Sequence, residues 1–298
     1  MSTMSGSASR TGPREAPRYA RDMLRMAREF LERKGVPEAR LEAEILAAHA
    51  LGLDRLHLFM ELDRPLSAAE IDRARDLLVR RGRREPVAYI TGEREFYGRS
   101  FAVDARVLIP RPDTELVVDV AREVAAGRSG LRVLDLGTGS GCLAVTLALE
   151  LDAPEVTAVD VSVEAAALAT ANAQSLEADV NVVTADAFAE LERASEPFDV
   201  IVSNPPYVRA EERDQLAPEV RDHEPALALF APPGDPDLWV RRLCEEAPAA
   251  LTETGVLLVE LGVDQGPRAQ ELAERAGLRA RLHKDLAEIE RVLEARRP

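Results

Sequence analysis

The sequence predicts an α/β protein in two parts, a small all-α helical bundle over residues 19–85 and a doubly wound parallel sheet over 109–298. A β-hairpin linker over 86–108 joins them and a flexible tail over 1–18 precedes them. Three observations predict this. Apolar residues recur at helical spacing through 19–85, short apolar runs alternate with helical segments from 132 onward, and a glycine-rich turn follows the first of those runs. Strands that alternate with helices pair in parallel, with the helices covering both faces.

Taken in order, Met23, Leu24, Ala27, Phe30 and Leu31 form one face of a helix over 19–34 that Gly35 stops. Leu41, Ile45, Leu46 and Ala48 predict a second helix ending at Gly52, and 54–60 a short third. Ser67 and Glu70 are spaced as a capping box, in which each side chain satisfies the other's orphan backbone donor, and they open a fourth helix. Its end, RRGRR at 80–84, is either a contact for an acidic partner or RNA, or a solvated helix end whose cations complement the helix dipole. Aromatic and β-branched residues punctuated by glycine then predict the hairpin. After a helix from Pro112 to about Ala126, strands are expected over 132–136, 156–160, 180–184, 198–203 and 256–261, with helices over 163–177, 237–251 and 265–276.

Composition limits the function. The chain carries 38 basic and 53 acidic residues, net −15; residues 1–85 hold 17 basic against 14 acidic, which leaves 86–298 at net −18. An acidic surface disfavours a nucleic-acid partner, because phosphate binding relies on Lys and Arg displacing counterions. Cys142 and Cys244 have no CxxC spacing, so neither a disulfide framework nor a metal site is expected, and a reducing cytoplasm fits. Cys142 reads as a small buried hydrophobe. With no apolar run near 18 residues, no membrane span is expected.

In a doubly wound sheet, ligands bind beyond the carboxyl ends of the strands at the switch point. There the first strand runs into DLGTGSG at 135–141, where Gly137, Thr138, Gly139, Ser140 and Gly141 form a turn that brings backbone N–H groups close to a ligand. The spacing is not that of a dinucleotide fingerprint, since Cys142 occupies the place of the third glycine. Asp160 ends the second strand, where a carboxylate can accept both hydroxyls of a ribose. Asp186, followed by Ala187, is either a ligand for an adenine amino group or a loop carboxylate capping a turn. After the fourth strand come Asn204, Pro205, Pro206 and Tyr207. Asn204 offers an amide oxygen, Pro205 a carbonyl in a fixed direction with no competing N–H, and Tyr207 a ring that can stack on a planar group. That combination suits a planar amino or amide nitrogen. Arg111 is read either as closing the site or as an inter-domain ion pair, and Trp239 as packing its helix on the sheet.

These features resemble the S-adenosylmethionine-dependent amino-methyltransferases. EPVAYITG at 85–92, FYG at 96–98, VLIPRPDTE at 107–115, the glycine turn, the Asn204–Tyr207 tetrapeptide, EPALAL at 224–229 and KDLAEIERVL at 284–293 together resemble the HemK/PrmC family, in family order over about 19–293. The resemblance implies a Rossmann-like seven-stranded methyltransferase domain that uses S-adenosyl-L-methionine, with Gly137–Gly141 along its methionine portion, Asp160 on the ribose and Asp186, Ala187 and Asn204 among the cofactor-binding residues. It also implies methylation of the N5 amide of the glutamine in the Gly-Gly-Gln motif of class I peptide-chain release factors, which modulates translation termination. Asn204, Pro205, Pro206 and Tyr207 are then the catalytic and acceptor-binding residues, the helical domain recruits the protein partner, and a cytoplasmic monomer is expected. The alternative is a nucleic-acid amino-methyltransferase acting on adenine N6, cytosine N4 or guanine N2. At the C-terminus Leu286, Ile289, Val292 and Leu293 are spaced for a helix, whereas the resemblance implies the last strand of the sheet; the latter is the expectation adopted.

Overall fold

The computed structural model of the chain describes residues 16–298. Most of the expected tail, 1–15, lies outside the described residues. The chain divides between Thr91 and Gly92 into two compact units.

The first unit is helical: α1 (Ala20–Arg33), α2 (Ala39–Leu51), α3 (Arg55–Met60), α4 (Ala68–Gly82) and α5 (Val87–Thr91). The capping box is present, with Glu70 N–H donating to Ser67 Oγ at 3.3 Å and Ser67 N–H to Glu70 Oε2 at 2.8 Å. Gly52 ends α2 in the left-handed conformation, φ 66°. Ala27, Leu31, Ala43, Leu46 and Ile90 share one buried cluster, so α5 is fastened to α1 and α2. The sequence pattern missed α5, where hairpin was expected from 86: Pro86 presets the first turn, but five residues are too few to show a period. The RRGRR segment is largely consumed internally. Arg80 pairs with Glu85 (2.5 and 2.9 Å), buried Arg81 with Glu42 (2.5 and 3.1 Å), and Arg84 donates to the Gly35 carbonyl at 2.9 Å.

The second unit opens with the hairpin, β1 (Glu93–Phe96) and β2 (Arg99–Ala102), which is not a free-standing linker. Phe96 and Phe101 meet edge to face, centroids 6.1 Å apart, inside the core of this unit. A 3₁₀ turn over Pro112–Thr114 leads into α6 (Glu115–Ala125). Then come β3 (Arg132–Leu136), α7 (Cys142–Glu150), β4 (Glu155–Asp160), α8 (Val163–Ser175), β5 (Val180–Thr184), α9 (Ala187–Arg193) and β6 (Phe198–Ser203). After β6 follow α10 (Pro218–His223), α11 (Ala226–Leu229), α12 (Leu238–Ala250), β7 (Leu251–Glu260), α13 (Gly266–Arg275), β8 (Arg279–Lys284) and β9 (Glu290–Arg296).

Seven strands form one sheet in the order β5-β4-β3-β6-β7-β9-β8. The expectation of a wholly parallel sheet is corrected at one edge, because β9 runs antiparallel to both β7 and β8. Alternate strand residues feed two cores. Val133, Ala158, Val200, Val202 and Leu258 face α6 and α7, while Leu134, Val159, Ile201, Leu257 and Leu293 face α12 and α13. Sequence order reverses between β3 and β6, so the turns leaving these two neighbours diverge and open a crevice at their carboxyl ends.

Candidate active site

The crevice is built first from the glycine turn after β3. Gly137, Gly139 and Gly141 all have positive φ (77°, 56° and 81°), which non-glycine residues adopt only with strain. The turn is held onto β4 by Gly137 N–H and Thr138 N–H, both donating to the Val159 carbonyl at 2.8 and 3.0 Å. Asp135 lies beneath it. Its Oδ2 accepts from Thr138 Oγ at 2.7 Å and Ala144 N–H at 3.2 Å, while buried Oδ1 has no hydrogen-bond partner. Burial pushes the Asp135 carboxyl up to about 7.

Asn172 of α8 carries a signal that sequence reasoning missed. Its Nδ2 donates to the Ser140 carbonyl at 2.8 Å and the Ala102 carbonyl at 3.0 Å, and its Oδ1 accepts from Ala102 N–H at 2.8 Å. One buried amide thus ties the glycine turn to the hairpin. A lone Asn in a helical pattern does not announce such a partner.

Asp160 sits where expected, at the end of β4. Its Oδ2 accepts from Gly139 N–H and its Oδ1 from Ser162 N–H, both at 2.9 Å. Each oxygen keeps a further lone pair for a ligand. Asp186 adopts the capping alternative: Oδ1 accepts from Phe188 N–H and Ala189 N–H, both at 3.0 Å, as the N-cap of α9. Asp186 and Ala187 still border the cavity, whereas Phe188 is buried against Trp239, centroids 4.9 Å apart. Trp239 packs on the core below the sheet, as expected, and also borders the cavity. Cys142 is a buried thiol, pushed up to about 12 by desolvation.

The Asn-Pro-Pro-Tyr segment leaves β6 at Ser203, whose Oγ donates to the Leu136 carbonyl at 2.8 Å and locks β6 to β3 at the switch point. Asn204 Nδ2 donates to Thr114 Oγ at 3.1 Å, so Oδ1 is the amide atom left for a ligand. Asn204, Pro205 and Pro206 border the cavity; Tyr207 does not. Tyr207 is half-buried. Its ring lies against Gly262, where a Cβ would come within 2.8 Å of Cδ2, and burial pushes the phenol up to about 12.

Arg111 pairs with Glu224 at 2.5 Å, and Glu224 Oε2 accepts from Ile109 N–H at 3.1 Å. Both partners belong to the second unit, so the inter-domain alternative is corrected. The pair joins the segment before α6 to the segment before α11. Val208 N–H to the Leu229 carbonyl (3.0 Å) and Ala231 N–H to the Val208 carbonyl (2.9 Å) close the wall.

The result is a cavity of about 480 Å³ bordered by Thr138, Asp160, Asp186, Asn204, Phe230 and Trp239 among others. That is a volume typical of small-molecule and cofactor sites. Its two ends differ chemically. Near β3 and β4 it offers a backbone turn and carboxylates; near β6 it offers a side-chain amide followed by two rigid prolines.

Comparison with known proteins follows the division of the chain into two units. The family model described as PrmC N-terminal domain matches residues 22–92, and that described as Methyltransferase small domain matches 114–222. A release factor glutamine methyltransferase of Geobacter sulfurreducens is 42% identical over 257 residues, covering 86% of this chain and 89% of its own. The protein of that description from Chlorobaculum tepidum is 40% identical over 282 residues (91% and 95% covered), and that from Cereibacter sphaeroides 42% over 282 residues (94% and 99%).

Proposed function

Because the chain belongs to the release factor glutamine methyltransferase family, we infer that it methylates the N5 amide of the glutamine in the Gly-Gly-Gln motif of class I release factors, using S-adenosyl-L-methionine. The observation that carries the assignment of roles is the tie between Asn204 Nδ2 and Thr114, which leaves the Oδ1 of this cavity-bordering residue for a ligand.

The residues present fit that cofactor. Asp160 would accept the ribose hydroxyls, the turn Gly137–Gly141 would run along the methionine portion, and Asp186 and Ala187 would border the adenine. S-Adenosyl-L-methionine supplies a methyl carbon made electrophilic by the adjoining sulfonium. The acceptor is the difficulty, because an amide nitrogen shares its lone pair with its carbonyl. Asn204 Oδ1 and the Pro205 carbonyl each accept one N–H of the acceptor amide, which holds the nitrogen lone pair toward the methyl. The same two oxygens stabilise positive charge as it reaches nitrogen. With cofactor bound, the acceptor nitrogen would take the methyl as its bond to sulfur breaks, leaving a neutral thioether, and the acidified nitrogen would release one proton to solvent. Pro205 and Pro206 contribute rigidity and the absence of competing donors.

Among the described residues no helix is long and apolar enough to cross a membrane. The reading includes action as a cytoplasmic monomer, with the helical unit selecting the release factor; light scattering of the purified protein tests the monomer.

The deciding experiment offers labelled cofactor with a Gly-Gly-Gln release factor, its Gly-Gly-Ala variant and duplex DNA. Label is expected on the first alone. Label on DNA would establish the nucleobase alternative, which the net −18 of residues 86–298 disfavours. Asn204→Ala is expected to slow transfer by about 10²–10³-fold, the scale for losing one transition-state hydrogen bond. Cofactor affinity should stay within about twofold, because nothing in that scheme asks Asn204 Oδ1 to hold the nucleoside. Full activity of this variant would remove Asn204 from the mechanism.

A further inference from the structure

Among the described residues, two exposed large hydrophobic side chains border the cavity. Val161, 57% exposed, follows Asp160 directly; Leu227, 66% exposed, lies on α11, and the mechanism above gives it no role. Leu229 is the leucine of α11 that enters the core, at 6% exposed, and a residue two positions earlier on a helix faces the other way. The helix is tied at both ends. Before it, buried Glu224 accepts from Ile109 N–H at 3.1 Å and pairs with Arg111 at 2.5 Å. After it, Val208 N–H donates to the Leu229 carbonyl at 3.0 Å and Ala231 N–H to the Val208 carbonyl at 2.9 Å. Since Val208 directly follows Tyr207, α11 is fixed to the end of the Asn-Pro-Pro-Tyr segment. Leu227 therefore stands at the mouth of the cavity, and α11 cannot turn it inward unless these bonds break.

We propose that Leu227 is a specificity-determining contact for the acceptor: its methyl groups lie on the acceptor chain next to the target glutamine, where they admit the Cα of a glycine and hold off a larger residue. The inference rests on the reading of Asn204 and Pro205 as the acceptor's hydrogen-bond partners. A glutamine side chain is short, so an acceptor whose amide reaches those two oxygens brings its own backbone to the mouth where Leu227 stands.

The chemistry of this wall fits a chain without side chains. Residues 225–233 contribute only Pro, Leu, Ala and Phe to the cavity border, and the segment before α6 adds Val107, Leu108 and Pro110. The two arginines on the border are engaged, Arg106 with Asp104 at 2.6 Å and Arg111 with Glu224 at 2.5 Å. Such a wall recognises its ligand by contact and shape, because its apolar side chains have no hydrogen bond to offer. A lone exposed leucine on open surface needs no explanation. One held rigid at a cavity mouth is different, since its apolar area leaves water only when an acceptor covers it. A contact that cannot retreat also discriminates: a methyl group added to the acceptor at this point meets Leu227 instead of displacing it.

The test measures kcat and KM for methyl transfer to a Gly-Gly-Gln release factor and to its Gly-Ala-Gln variant, together with cofactor affinity and melting temperature. It uses the full-length wild type, Leu227→Ala, Leu227→Met and Leu286→Ser. Leu286 is exposed and does not border the cavity, so its variant reports what the loss of any surface leucine does. Leu227→Ala should raise KM for the Gly-Gly-Gln acceptor about tenfold, with cofactor affinity and melting temperature unchanged. Wild type should prefer Gly-Gly-Gln over Gly-Ala-Gln in kcat/KM by at least about tenfold, and Leu227→Ala should narrow that preference about fivefold, the scale on which an apolar contact senses one methyl group. Leu227→Met and Leu286→Ser should each stay within about twofold of wild type on both acceptors. A Leu227→Ala enzyme with wild-type KM or wild-type preference overturns the proposal, as do equal losses in Leu286→Ser or a fall in cofactor affinity that matches the rise in KM. No transfer by the wild type to the Gly-Gly-Gln release factor would instead defeat the functional reading itself.

Discussion

At Gly141 two separate constraints meet. Its φ of +81° disfavours any side chain, and a Cβ there would lie 3.1 Å from Ala169 Cβ and 3.2 Å from Ala169 Cα on α8. Gly137 and Gly139 share the positive φ, but a Cβ at either would meet nothing within 4 Å. Left-handed backbone costs an L-residue about 1–2 kcal/mol. Gly137→Ala and Gly139→Ala should therefore lose about that much stability, and Gly141→Ala clearly more, because α8 must also move. Denaturant unfolding of the three variants checks the order; equal losses would show that α8 yields freely. The glycines themselves were legible in the sequence, since a turn after an apolar run needs them. Which of them α8 presses on was not, because that contact joins residues 28 positions apart. Thr114 and Asn172 escaped for the same reason. A polar residue inside an otherwise ordinary element carries no local mark of a distant partner.

Element by element, β3, β5 and β6 were legible to the residue: the central β3 and β6 are largely buried apolar runs between glycine, proline and polar breaks, and β5, though an edge strand, is rich in β-branched residues. At the opposite edge the signal fails. β8 reads RARLHK, its exposed face carrying Arg279, Arg281 and Lys284, a composition that resembles a loop although charge on an edge strand guards against further pairing. The helical spacing near the C-terminus was accidental: Leu286 is fully exposed in the turn before β9, so it belongs to no apolar face, and only the family resemblance indicated a strand. The loops after β6 have no period at all; the Arg111–Glu224 pair holds them to the segment before α6. Glu224 is buried and also accepts from Ile109 N–H, so Arg111→Ala leaves a carboxylate without its counter-charge. Breaking such a pair from one side costs about 3–5 kcal/mol when both partners are buried. With Arg111 partly exposed, a loss of about 2 kcal/mol is expected, accompanied by weaker binding of the acceptor and not of the cofactor. Arg111→Ala with wild-type stability and acceptor affinity would show that the wall is held without the ion pair.

For the molecule as a whole, two of the buried carboxyls of the second unit set a pH dependence of opposite sign to acid denaturation. Asp135 and Glu260 are raised by burial from 3.8 and 4.5 to about 7 each. Between roughly pH 4 and 7 the folded chain therefore keeps protons that the unfolded chain has released, and stability falls as pH rises, by up to about 1.4 kcal/mol per pH unit for each group. The carboxylates held low work elsewhere on the scale. Asp104 beside Arg106, Asp235 beside Arg241 and Asp285 under the Ile289 N–H add stability above their unfolded values and lose it only as pH falls through their folded ones. A window of pH 5.5–7.5 thus isolates the raised pair from these. Urea unfolding followed across that window should show wild type more stable at the acid end, and Asp135→Asn and Glu260→Gln should each flatten the slope.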